Sequence, residues 1–135
     1  MNGGFNMKGF GHLALNVRDM QKSLDFYTRV LGGKYAFSFQ RDGKPWIEYV
    51  QLVPGQFVEL FYGCEGENTG SFNHICISVE NIDAACAQVL AAGYPVDRMP
   101  ELGCDGNKQA WLVDPDGNRI ELMQLMPGCP QEKQY

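Results

Sequence analysis

The sequence predicts an α+β fold built from two tandem copies of one unit, each running strand, helix and three strands. Two observations carry this. Separated blocks of sequence recur at a single offset, and apolar residues within each copy alternate as in strands except along one helical stretch. GHLALNV (Gly11 to Val17) pairs with NHICISV (Asn73 to Val79), and PGQFVELF (Pro54 to Phe61) pairs with DGNRIELM (Asp116 to Met123). His12 and His74 are 62 residues apart, as are Glu59 and Glu121, Gly55 and Gly117, and Asp19 and Asn81. A duplicated half-domain explains one offset held across separate blocks. The half-repeats span 8–62 and 72–126 within a single domain over 7–127, joined by the polar, Gly-rich stretch Gly63 to Ser71. Residues 1–6 and 128–135 read as loose termini.

In the first half, His12 to Val17 alternates into a strand with Leu13, Leu15 and Val17 on one face. Asp19 is placed to cap a helix that carries Met20, Leu24, Tyr27 and Leu31 at helical spacing, and Gly32-Gly33 supplies its stop. Tyr35 to Gln40 is strand-like, Asp42-Gly43 is a hairpin turn, and Trp46 to Leu52 returns. Pro54-Gly55 then turns the chain into Phe57 to Tyr62. In the second half, Ile75, Ile77 and Val79 form the apolar face of the first strand. Asn81 caps a helix with Ile82, Cys86, Val89 and Leu90, ending at Gly93. Asp105-Gly106 marks a turn. Trp111 to Val113 and Arg119 to Leu125 are the closing strands, joined by Asp114-Pro115-Asp116-Gly117. Met99 to Lys108, with Pro100, Gly103 and Gly106, reads as a loop that either covers a pocket or wanders over the surface.

Composition narrows the function classes. A chain of 135 residues, 44% hydrophobic, suits one globular domain. Eleven basic against 16 acidic residues give a formal charge of −5, so there is no basic field for nucleic acid or anionic lipid. No run approaches the ~20 apolar residues of a membrane span, and MNGGFN lacks the pattern of a secretory signal. Five cysteines, an odd count without CxxC spacing, argue against a disulfide framework and against a thiolate cluster. They read as thiols of a reducing cytoplasm, with Cys76 and Cys86 as small core residues.

Strand alternation locates the chemistry. His12, Ala14 and Asn16 point away from the Leu13 row, His74, Cys76 and Ser78 away from the Ile75 row, and Glu59 and Glu121 away from their apolar neighbours. All four charged or imidazole side chains therefore look to the side of the sheet opposite the helices. A single His on an amphipathic strand ordinarily faces solvent, and a Glu in VEL or IEL ordinarily marks a strand's wet side. The recurrence of both at one offset, one pair per half, points instead to a divalent metal held by His12, Glu59, His74 and Glu121 around a pseudo-twofold axis. Two imidazoles and two carboxylates suit Zn, Ni, Co, Fe or Mn better than Ca or Mg. The absence of thiolate ligands favours an open site over a closed structural zinc. Glu48, on a neighbouring strand, is either a third carboxylate or, more simply, a surface residue. Phe57, Phe61, Met123 and Leu125 share the ligand face, as pocket lining or as core.

Four stretches, GHLALNVRDMQKSLDFYTRVLGG, FVELF, NHICISVENIDAA and DPDGNRIELMQ, resemble the vicinal oxygen chelate superfamily (glyoxalase, bleomycin-resistance and dihydroxybiphenyl dioxygenase proteins). The likeness runs from about Lys8 to Met126. It implies tandem βαβββ units whose strands form a curled mixed sheet around a metal site, often within a dimer. DPDGNRIEL is widespread in the superfamily and bears on fold rather than activity. The His, Glu, His, Glu order is similar to bacterial-type glyoxalase I (lactoylglutathione lyase); methylmalonyl-CoA epimerases carry Gln at the second position and extradiol dioxygenases use two His and one Glu. The resemblance implies a homodimeric, cytoplasmic lyase or isomerase acting on a small-molecule substrate with one Ni, Zn or Co ion. The reaction would shuttle a proton in a 2-oxoaldehyde thiol hemithioacetal through a metal-stabilised enediolate, with Glu121 the first choice for the proton-moving carboxylate and Glu59 the second. Two alternatives follow from the same likeness: an epimerase or related isomerase, and a binding protein that sequesters an antibiotic or toxin.

Overall fold

A computed structural model describes residues 10, 12–64, 72 and 74–134. The expected loose leader at 1–6 and most of the expected linker lie outside the described residues. Strand β1 (His12–Asn16) is followed by α1 (Met20–Asp25), a π-helical turn (Phe26–Val30), and strands β2 (Lys34–Arg41), β3 (Lys44–Val53) and β4 (Gln56–Phe61). Strand β5 (His74–Ser78), helix α2 (Ile82–Ala91) and strands β6 (Arg98–Leu102), β7 (Lys108–Val113) and β8 (Arg119–Gln124) repeat the order. A short 3-10 turn, Glu132–Gln134, comes last.

The strands form two curled, open, four-stranded mixed sheets with the same wiring, β1-β4-β3-β2 and β5-β8-β7-β6. In each, the first strand lies parallel to the last while the other pairs are antiparallel. This is the tandem βαβββ architecture. The helix in each unit is the crossover that a parallel pair requires. Both helices start as their sequences predict: the Asp19 side chain accepts from the Lys22 N–H at 3.1 Å, and Asn81 accepts from the Ala84 N–H at 3.0 Å.

After α1 the helix widens by one residue per turn, with the Leu31 N–H donating to the Phe26 carbonyl at 2.8 Å. Phe26 and Tyr27 are both driven inward by this widening. The chain then has no room for a side chain at Gly33, where a Cβ would sit 2.6 Å from the Tyr27 carbonyl oxygen and 2.7 Å from Val50 Cγ1. At the β2–β3 hairpin, Asp42 and Gly43 both take positive φ (53° and 73°), the pairing a two-residue I′ turn needs.

One core joins the halves. Leu15, Val17, Phe26, Val50, Val58 and Leu60 pack in the same cluster as Ile82, Cys86, Ala110, Leu112, Ile120 and Leu122. Polar contacts reinforce it from the turn before β8. Asp114 is 3% exposed, and its two oxygens accept from the N–H groups of Asp116 (2.9 Å) and Asn118 (2.7 Å), the Asn118 amide (2.9 Å) and the Tyr27 hydroxyl (2.8 Å). Asp116 accepts from the Arg18 backbone N–H (3.0 Å), the Arg18 guanidinium (3.1 Å) and the Ser23 hydroxyl (3.2 Å). Two carboxylates can be buried here because donors fill their lone pairs.

The structure departs from the sequence reading at Met99 to Lys108. Arg98–Leu102 is strand β6, and only the following residues form a turn. Pro100 and the flanking glycines read as loop punctuation, yet β6 is the edge of its sheet, where a missing N–H costs little. Beyond β8, Cys129 is buried and its backbone carbonyl accepts from the Lys133 N–H, in a tail whose composition predicts loose chain. Among the described residues no helix is long and apolar enough to cross a membrane.

Asp116→Ala removes the acceptor for three donors of the first half, one of them the buried Ser23 hydroxyl. Urea unfolding is expected to show a loss of about 2–3 kcal/mol, most of it from donors left without partners.

Candidate functional site

In β4, Val58 and Leu60 are fully buried in the core, so Phe57, Glu59 and Phe61 turn to the opposite face. Cross-strand register puts Phe57 beside His12, and Glu59 between Ala14 and Tyr49. On that face the His12 Nε2 lies 2.8 Å from a Glu59 carboxylate oxygen. The Glu59 side chain is only 7% exposed. Tyr49 stands across from Glu59, and burial together with the carboxylate's charge pushes its hydroxyl pKa up.

The second half repeats the arrangement with looser contacts. His74 Nε2 is 3.2 Å from a Glu121 oxygen, and the Glu121 side chain is 12% exposed. Register places Glu121 between Cys76 and Trp111. Burial, followed by the charge and hydrogen bond of Glu121, pushes the Cys76 thiol up to about 11, so it stands as a neutral S–H beside the carboxylate. Cys76 lies on the histidine face with the residue as a whole exposed and only its thiol partly screened, so it is not a core residue, whereas Cys86 is buried. The alternation from His74 already implied this. The general preference of cysteine for interiors pointed the other way.

His12 and His74 line one cavity of about 310 Å³, together with Phe10, Leu13, Gln56, Ile75 and Cys76. Among the described residues, however, no group of three or more His, Cys, Asp or Glu side chains comes together as a metal cage. The four predicted ligands are brought together two by two within a chain. Each pair fits a cation nonetheless. Adjacent ligands on an ion with bonds of about 2.1 Å stand roughly 3 Å apart, the separation of each imidazole nitrogen from its carboxylate oxygen.

Glu48 belongs elsewhere. Register sets it opposite Leu60, on the helix-facing row. The Tyr35 and Tyr62 hydroxyls each donate to it at 2.7 Å. Burial first, then Glu48, pushes the Tyr62 hydroxyl up to about 12. Glu48 is an anchor for neighbouring tyrosines, and not a third carboxylate of the site.

Several residues of the face are not evident from the sequence reading. Phe37 stacks on Tyr49 with ring centroids 4.4 Å apart, and Phe39 and the expected Phe57 lie against the same two rings at 5.6–6.2 Å. In the second half, Trp111 meets His74 edge-on at 4.9 Å and carries the Arg119 guanidinium 4.3 Å from its ring centre. The available signal is the repeat itself: Tyr49 and Trp111 are 62 residues apart, like the two glutamates they flank. Of the apolar residues expected on this face, Met123 is buried and Leu125 falls just past the end of β8.

Comparison with known proteins matches residues 9–122 to a family described as the Glyoxalase/Bleomycin resistance protein/Dioxygenase superfamily. A probable lactoylglutathione lyase of Vibrio cholerae is 34% identical, covering 84% of this chain and 88% of its own. The lactoylglutathione lyase of Escherichia coli O157:H7 is 34% identical over 84% of this chain and 90% of its own. Among solved structures, a member of the same superfamily from Sphaerobacter thermophilus superposes with a TM-score of 0.74 at 26% identity, covering 88% of this chain and 98% of that one.

Glu48→Ala tests the assignment of faces. It is expected to cost about 1 kcal/mol in urea unfolding through the lost tyrosine hydrogen bonds. The imidazole nitrogen resonances of His12 and His74 should stay in place; movement of the His12 signals would put Glu48 back beside the site.

Proposed function

Because the chain belongs to the glyoxalase/bleomycin resistance protein/dioxygenase superfamily, we propose that it is a divalent-metal-dependent lyase of the glyoxalase I kind. Its substrate would be the hemithioacetal of a 2-oxoaldehyde and a thiol, glutathione being the thiol named by its relatives' activity. The observation that carries this reading is the duplicated imidazole–carboxylate pair, His12 with Glu59 and His74 with Glu121, at equivalent positions of the two halves. One ion of nickel, zinc or cobalt would be held by these four side chains. Since a single chain gathers them only in twos, we take the full set to come from two copies, the first-half pair of one chain facing the second-half pair of the other. A homodimer in the cytoplasm, where thiols such as those of Cys76 and Cys86 would remain reduced, completes the proposal.

When bound, the ion supplies Lewis acidity at the substrate's neighbouring oxygens. The chain supplies the rest. A C–H beside a carbonyl is a weak acid, so a carboxylate must take its proton and return it to the adjacent carbon. Glu121 suits that task better than Glu59. Its contact with histidine is longer, 3.2 against 2.8 Å, and its side chain is more exposed. Glu59 therefore orients His12, while Glu121 has the freedom to carry a proton. Aromatic rings on the same face limit water around the developing charge.

Protein purified without chelator is expected to carry close to one divalent ion per chain and to convert the methylglyoxal–glutathione adduct. Chelation should abolish turnover, and nickel or cobalt should restore it. Glu121→Gln should lower kcat by about 10²–10⁴-fold, the range for loss of a positioned acid–base group. Metal without turnover on any thiol adduct would turn the reading toward an epimerase, and absence of metal would defeat it.

Mixing two inactive variants tests the cross-chain site. Co-expressed His12→Ala and His74→Ala chains should recover about a quarter of wild-type activity, since half of randomly formed twofold dimers are mixed and each has one intact site. No recovery would place all four ligands within one chain.

A further inference from the structure

The two halves hold their histidines in the same frame but put different residues beside them. Register sets Phe57 next to His12 and Arg119 next to His74, and these two positions are 62 residues apart like the ligands themselves. The first half thereby presents aromatic carbon, with Phe37, Tyr49 and Phe57 in mutual contact. The second half presents a cation held in a fixed attitude. Its guanidinium lies over the Trp111 ring, and Trp111 in turn packs against His74.

Stacking on an indole leaves the N–H groups around the rim of a guanidinium free to meet an acceptor in their own plane. Arg18 and Arg29 spend those donors on Asp116 and Asp25. Arg119 is exposed, and among the described residues no carboxylate lies within ion-pair distance of it. Arg41 is stacked in a similar way on Trp46, 3.6 Å from the ring centre, but stands at the far end of a hairpin and not beside a histidine. Position, and not stacking alone, sets Arg119 apart.

We propose that Arg119 is a specificity-determining residue, binding a carboxylate of the thiol portion of the substrate. This rests on the glyoxalase I-type reading above. A bidentate pair between guanidinium and carboxylate fixes both distance and orientation, so one such contact aligns the adduct relative to His74 and Glu121. The aromatic group of Phe37, Tyr49 and Phe57 takes the apolar substituent of the aldehyde. The substrates best matched to such a face carry negative charge at the thiol end and hydrocarbon at the other, as in the adduct of phenylglyoxal with glutathione.

The test compares two thiols on one aldehyde. For phenylglyoxal, the wild-type preference for the glutathione adduct over the 2-mercaptoethanol adduct, taken as the ratio of their KM values, should fall by about 10–100-fold in Arg119→Gln, the range for loss of a charge-assisted pair. Arg119→Lys should regain part of it, because a point charge replaces the fork only incompletely. Calorimetric binding of S-benzylglutathione, which requires no turnover, should weaken tenfold or more in Arg119→Gln. An unchanged ratio together with unchanged binding would overturn the assignment. Weakened binding in a protein that turns over neither adduct would uphold Arg119 while removing the lyase reading.

Discussion

Two buried carboxylates hold this molecule together. Asp114 and Asp116 sit in the turn ahead of β8, yet their strongest outside partners, Tyr27, Ser23 and Arg18, belong to the first half. An ionised group in an apolar interior is tolerable only when donors surround it, and here the donors come from the opposite unit. The same contacts hold α1 against the second unit. Because α1 is also tied to β1 by a short connection, this turn adds to the shared core in setting the attitude of the His12–Glu59 pair relative to the His74–Glu121 pair. The DPDGN stretch therefore serves the site without touching it.

Duplication accounts for the resemblance between the halves, and divergence for their division of labour. Each retains an imidazole beside a carboxylate on the face away from its helix, with a neutral donor next to the carboxylate: Tyr49 for Glu59 and Cys76 for Glu121. The first pair is shorter and deeper, and the second longer and more open. Symmetry of residue type combined with asymmetry of freedom is what the proposed reaction needs, one carboxylate staying put while the other moves. The flanking positions diverge further, into aromatic rings on one side and a stacked guanidinium on the other.

Much of this was legible in the sequence because it follows from periodicity and repetition. The caps Asp19 and Asn81 stand where the repeat offset of 62 puts them, and a period of two residues sets His12, Glu59, His74 and Glu121 on the face away from the helices. Strand β6 was hidden because Pro100 carries the same local signal in a loop and in a sheet edge. At Cys76 the burial preference of cysteine and the strand's alternation point opposite ways, and alternation decides. Tyr49, Trp111 and Arg119 stayed out of view because their importance comes from cross-strand register, which needs the pairing of strands distant in sequence. That the four candidate residues gather two by two within a chain depends on how the sheets pack, and no local pattern encodes that.

The widened turn at Phe26–Val30 has a consequence for how the two halves can evolve. By adding a residue to the helical circuit it rotates the phase of the chain so that a phenol reaches across to the opposite unit, while the equivalent place in α2 holds Val89, which packs as plain hydrocarbon. The matching turn before β4 carries no aspartates: Leu52 and Pro54 occupy the places of Asp114 and Asp116. The latch is therefore one-way, a bolt on the leading copy and its keeper on the trailing one. Copying either half's sequence onto the other would erase one part of the fastening, so the two copies are not interchangeable.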